Sequence, residues 1–149
     1  MKIGESRRML IGQYKAKTSI SGRVAFPKKF REEMGDDLIV TVGYEKSLMV
    51  VSKNNWEEVV KPLEAKPFID NSTRDTYRYL LGQAVEVQLD DQGRCVLPDY
   101  MREYSEMKDE AIFLGLGKYV EIWSKEDWQT HQLFLTKNSS QIAEKLITQ

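Results

Sequence analysis

The chain has 149 residues, 41% of them hydrophobic and 30% charged, with a formal net charge of −1 and one cysteine. That size allows one or two small soluble domains, and no apolar run approaches the ~18 residues of a membrane span. The first residues lack an apolar signal core and Cys95 has no partner for an intrachain disulfide, so no export signal and a cytoplasmic location are expected.

In chain order, Gly12 to Thr18 alternates roughly and reads as a strand. Ser19-Ile20-Ser21-Gly22 is a turn, with Gly22 free to take the positive φ of a tight hairpin. Arg23 to Phe26 is a second strand, and Pro27 suits the first turn of a short helix over Lys28 to Met34, stopped at Gly35. Leu38 to Val42 is a β-branched strand, Gly43 to Lys46 a turn, and Ser47 to Val51 a fourth strand. Ser52 or Asn54 can cap a helix through Trp56 and Val59, limited by Pro62. Lys66-Pro67 and Asp70-Asn71-Ser72 mark a linker before a helix over Thr73 to Leu81, with Tyr77, Leu80 and Leu81 on its buried face.

The same order then returns. Gln83 to Leu89 is a strand, Asp90 to Gly93 the turn, Arg94 to Leu97 a strand, and Pro98 opens a helix. Cys95 alternates with apolar neighbours and reads as a small buried hydrophobe. Ala111 to Leu114 and Tyr119 to Trp123 are strands around a turn at Gly115 to Gly117, and Ser124 to Asp127 resembles a capping box ahead of Trp128. Beyond about residue 132 the pattern fades to a short helix at 139–147 in a loosely held tail.

This recurrence is an internal repeat. Gly12 and Gly82 are 70 residues apart, Arg23 and Arg94 are 71 apart, as are Pro27 and Pro98, and Trp56 and Trp128 are 72 apart. Each copy is too short to bury much core alone, so the two are expected to complete one another. Trp56 and Trp128 are equivalent and read as core, and Tyr77 and Tyr79 as packing residues.

The two copies differ in charge. Residues 1–31 hold nine Lys or Arg against Glu5, a balance of +8, while the other 13 bases and 22 acids leave −9 on residues 32–149. Residues 12–31 have six bases and no acid, whereas residues 82–102 have Arg94 and Arg102 against Glu86, Asp90, Asp91 and Asp99. A basic end on an acidic body points to an anionic partner. Arginine presents a planar fork that matches guanine O6 and N7, and a two-stranded ribbon fits the major groove. A hairpin tip of Ser19, Ser21, Gly22 and Arg23 would reach base edges, with Lys15 and Lys17 on phosphates. Lys28 and Lys29 are balanced between DNA contact and a role in the fold. Arg31 recurs as Arg102 even in the acidic copy, which favours a role in the fold.

The doubled Gly-Arg-x-x-x-Pro-x-x-x-Arg motif at Gly22 and Gly93, the opening Met9-Leu10-Ile11-Gly12-Gln13-Tyr14 and the paired Ser…Trp segments resemble the MraZ family over roughly residues 9–130. The resemblance implies a mainly β protein with short helices (α+β), built from two tandem swapped-hairpin half-barrels of the SpoVT/AbrB type. It implies an extension at 1–8, domain 1 at 9–56, a helical linker at 57–79, domain 2 at 80–128 and a tail at 129–149. It further implies a nucleoid-associated transcription regulator that binds direct repeats of double-stranded DNA upstream of the division and cell-wall gene cluster, its own gene included. Self-association into a ring-shaped homo-oligomer follows from the same resemblance. The family's DNA-contacting arginine falls on Arg23, with Arg94 as its counterpart. Ser19 and Ser21 stand where the family has Asp and Lys, and Gln92 replaces Lys in the second copy.

An enzyme is the weaker alternative. His131 is the sole histidine, and no metal-ligand spacing, P-loop or dinucleotide glycine pattern occurs. No catalytic residue, metal, cofactor or small-molecule substrate is expected. An antitoxin-like or purely protein-binding swapped-hairpin module is the other alternative, with residues 132–149 as its partner-binding tail.

Overall fold

The computed structural model describes residues 9–148, with side chains to residue 147; the expected extension at 1–8 lies outside them. The first copy forms β1 (Leu10–Lys17), β2 (Arg23–Ala25), α1 (Lys28–Met34), β3 (Asp37–Val42), β4 (Leu48–Ser52), a 3₁₀ turn (Lys53–Asn55) and α2 (Trp56–Glu64). After α3 (Asn71–Leu80), the second forms β5 (Val85–Gln88), β6 (Arg94–Val96), α4 (Asp99–Ser105), β7 (Glu110–Gly117), β8 (Val120–Ser124) and α5 (Lys125–Thr148).

The copies exchange strands. Six strands make one antiparallel sheet in the order β1-β7-β8-β4-β3-β5, and β2 pairs with β6 in a separate ribbon. Thus β1 of the first copy lies against β7 of the second, from Leu10↔Gly117 to Lys17↔Glu110, and β5 lies against β3. The pairs β4–β8 and β2–β6 each join equivalent strands of the two copies. Neither copy closes its own core. The larger of two buried clusters draws Val24, Phe26 and Phe30 from the first and Leu97, Met101 and Phe113 from the second. The Phe26 and Phe113 rings meet edge to face at 4.9 Å, a geometry the aromatic quadrupole favours.

Some elements differ from the sequence reading. The turn expected at Gly115–Gly117 is strand, and the chain reverses after Gly117. The cause is the exchanged β1: a Cβ on Gly115 would lie 2.5 Å from the Ile11 backbone nitrogen, so glycine here serves close strand approach. Ser52 makes no side-chain cap and a 3₁₀ turn intervenes before α2, whereas Ser124 Oγ accepts the Asp127 N–H at 3.1 Å as expected. Trp128 is buried but Trp56 is only half-buried. Trp128 packs edge to face on Trp123, and Val51 occupies the equivalent place in the first copy. Of the face expected for α3, Tyr77, Leu80 and Leu81 are half-buried, and Thr73 is the buried residue. Tyr79 packs against the core and its hydroxyl bonds the Gly43 carbonyl. No loop or break separates a tail: α5 runs unbroken for 24 residues, because no proline or linker like that after α2 interrupts it.

Candidate nucleic-acid interface

Each hairpin closes by the same bonds. Gly22 N–H donates to the Ser19 carbonyl at 2.9 Å and Ser19 N–H to the Arg23 carbonyl at 3.0 Å; Gly93, Asp90 and Arg94 repeat the pair at 2.9 Å. Gly22 has φ +83° and Gly93 φ +78°. This is the three-residue loop whose last position must be left-handed. The cap differs between the two. Asp90 Oδ1 accepts the N–H groups of Gln92 and Arg94, both at 2.9 Å. Ser19 Oγ accepts the Arg23 N–H at 3.1 Å and lies 2.9 Å from Ser21 Oγ. A hydroxyl therefore does the backbone work of the carboxylate without its charge.

That difference sets the state of the two arginines. In the ribbon Val24 and Cys95 face each other across the core side, so Arg23 and Ala25, with Arg94 and Val96, form the outer face. Arg94 Nε donates to Asp90 Oδ2 at 3.2 Å. The Asp90 carboxyl is held below its ordinary value, first by the Arg94 backbone N–H. Arg23 is exposed, and among the described residues its side chain has no ion-pair partner.

The other candidates fall around this tip. Lys15 and Lys17 are exposed on the outer face of β1. Lys15 Nζ is 3.9 Å from Glu110, which Lys125 already binds at 3.0 Å; that bond leads in holding the Glu110 carboxyl low. Ser19 and Ser21 are exposed at the tip, as are Lys28 and Lys29 on the first turn of α1. Gly22 is buried and shapes the turn.

What buries Gly22 comes from the other copy. A Cβ at Gly22 would lie 2.4 Å from Arg102 Nε, and one at Gly93 would lie 2.4 Å from Arg31 Nε. Each copy's motif arginine thus lies over the other copy's hairpin. Arg102 also donates through Nη1 to the Ile20 carbonyl at 3.3 Å and pairs with Asp99. The expectation that Arg31 and Arg102 serve the fold agrees with this placement. Sequence reading missed Lys108. Its carbonyl accepts from the Thr18 hydroxyl, and the residue helps line a groove of about 200 Å³ beside Ser19 and Ile20. It lies outside both motifs, so no sequence signal marked it.

Among the described residues no helix is long and apolar enough to cross a membrane, and no group of three or more His, Cys, Asp or Glu could hold a metal ion. The architecture is a tandem swapped-hairpin protein, two repeats closed into one body with paired, inequivalent loops. The chain belongs to the MraZ family, described as "MraZ protein, putative antitoxin-like", which matches twice, over residues 9–79 and 80–149. It is 37% identical over 138 residues to the transcriptional regulator MraZ of Caldanaerobacter subterraneus subsp. tengcongensis, covering 93% of this chain and 96% of that protein. The MraZ regulators of Roseiflexus sp. and Carboxydothermus hydrogenoformans are 34% and 35% identical, each over 93% of this chain and 96% and 97% of their own. Family membership is that of a transcription regulator rather than of any enzyme family.

Proposed function

We propose that the chain is a sequence-specific double-stranded DNA-binding regulator whose first hairpin enters the major groove. Arg23 reads a base edge there. Lys15, Lys17, Lys28 and Lys29 hold the flanking phosphates, with Ser19 and Ser21 at the tip and Gly22 setting its shape. The second hairpin contributes Arg94 weakly, because Glu86, Asp90, Asp91 and Asp99 make that copy acidic and repel phosphate, and Arg94 is paired with Asp90. The observation that carries this reading is the unpaired, exposed Arg23 set against the paired Arg94. The targets are direct repeats upstream of the division and cell-wall genes, its own included, so the protein acts at the nucleoid.

A single hairpin buries at most the ~600–1,000 Å² of one small DNA-binding module. Several hairpins on a ring-shaped homo-oligomer, meeting several repeats, gain through effective concentration. Exposed Ile11 and Leu116 face each other on the β1–β7 edge and offer an apolar contact for assembly. Light scattering reads this directly, and a monomer at micromolar concentration would refute it.

Salt-titrated binding tests the DNA reading, with DNA from upstream of the chain's own gene against scrambled DNA. Affinity should fall steeply with salt as counterions are released. Arg23→Ala should lose roughly tenfold or more of the preference, the worth of one bidentate base contact, and Arg94→Ala much less. Equal losses from the two variants, or no binding at low salt, would sink the proposal.

A further inference from the structure

We infer that Ile20 is a specificity-determining residue that reads the 5-methyl group of thymine in the major groove. The inference rests on the DNA-binding reading above and deepens it. Ile20 is the most exposed large apolar side chain among the described residues, at 101% of its reference area. It sits at the first position of a three-residue hairpin loop, where Gly, Asn, Asp and Ser are favoured for their backbone freedom or local hydrogen bonds. A β-branched apolar residue brings neither, and its preference is for strands. The equivalent position in the second hairpin is Asp91, so the fold does not require an apolar group there.

The surroundings give that alkyl group a target. Arg102 holds the Ile20 carbonyl from behind at 3.3 Å, which fixes the loop backbone while the side chain stays in solvent. Ser19 and Ser21 are bonded to each other at 2.9 Å, and Ser19 to the Arg23 N–H, so the neighbouring hydroxyls are partly engaged. Lys15, Lys17 and Arg23 flank the tip with no acid between residues 12 and 31. A cationic approach carries the tip toward DNA. Phosphates offer an alkyl group nothing, and in the major groove the apolar feature is the thymine methyl.

The test is a double-mutant cycle on DNA from upstream of the chain's own gene, made once with thymine and once with uracil in its place. Uracil keeps the pairing and the minor groove and removes only the methyl. Wild type should bind uracil DNA about fourfold more weakly for each methyl contacted, the worth of one buried methyl group. Ile20→Ala should bind the two DNAs within twofold of each other. It should also keep the wild-type unfolding midpoint, since the side chain is fully exposed among the described residues. Wild type indifferent to uracil would overturn the inference, and so would an Ile20→Ala ratio equal to that of wild type. Loss of wild-type preference for the thymine DNA over scrambled DNA would refute the DNA reading itself and the inference with it. That comparison is read on thymine DNA alone, so the two failures are distinct.

Discussion

Gly22→Ala tests whether one copy's arginine fastens the other copy's hairpin. The left-handed backbone at Gly22, φ +83°, costs a Cβ-bearing residue roughly 1–2 kcal/mol. The new methyl would also stand 2.4 Å from Arg102 Nε and 2.6 Å from its Cδ, so Arg102 must move away. Its bond to the Ile20 carbonyl would go with it, about 1 kcal/mol for a partly exposed pair. The sum is ~2–3 kcal/mol, read as a lower midpoint in urea unfolding at fixed protomer concentration. Arg102→Ala removes the obstacle, so in that background Gly22→Ala should cost only the strain, ~1–2 kcal/mol. The coupling of about 1 kcal/mol belongs to the clamp, isolated as a double-mutant cycle isolates it. An identical cost in both backgrounds would show that Arg102 does not hold the loop.

Two further predictions concern single groups. Cys95 is buried and burial pushes its thiol up to about 11; alkylation at pH 8 should proceed only through unfolding, and fast labelling of the folded protein would contradict its place in the core. Burial holds the Glu121 carboxyl above 4.5, outweighing the hydrogen bond from Trp123 Nε1. The fold thus favours the protonated acid: its stabilising contribution is complete below pH ~4.5 and is lost as pH rises through the raised value. Glu121→Gln should therefore raise the Tm at pH 7 and leave it nearly unchanged near pH 4, and a lowered Tm at pH 7 would refute the assignment.

The local grammar of this chain was open to reading because it depends on local rules. The helix over Lys28–Met34 matches the structure residue for residue, since Pro27 and Gly35 punctuate it. The hairpin glycines were legible from their turn chemistry, and the fold role of Arg31 and Arg102 from their survival in a copy of opposite charge. Pairing was not legible. Nothing in the alternation of β1 says that its partner is β7, 93 or more residues away, because alternation encodes which face is buried and not which strand lies alongside. The error at Gly115 follows from that blindness: a glycine that admits a neighbouring backbone looks, in sequence, like a glycine that makes a turn. The same limit hid Lys108, which exchange brings beside the first hairpin.

The scaffold is symmetric and its two loops are not, and one side chain accounts for much of the difference. Asp90 both caps its loop and ties down Arg94, whereas Ser19 caps without a charge and leaves Arg23 unpaired. Ser19→Asp should convert the first loop into the second. The new carboxylate would accept the Ser21 and Arg23 N–H groups as Asp90 accepts those of Gln92 and Arg94, so stability should hold or rise slightly. It would also draw the Arg23 guanidinium back and place a negative charge where phosphates approach, so affinity for DNA should fall several-fold at low salt, with a smaller loss at high salt as screening grows. Opposite movement of stability and affinity is the signature of a loop tuned for charge rather than for folding. If Ser19→Asp binds as tightly as wild type at every salt concentration, the freedom of Arg23 is not what distinguishes the two hairpins.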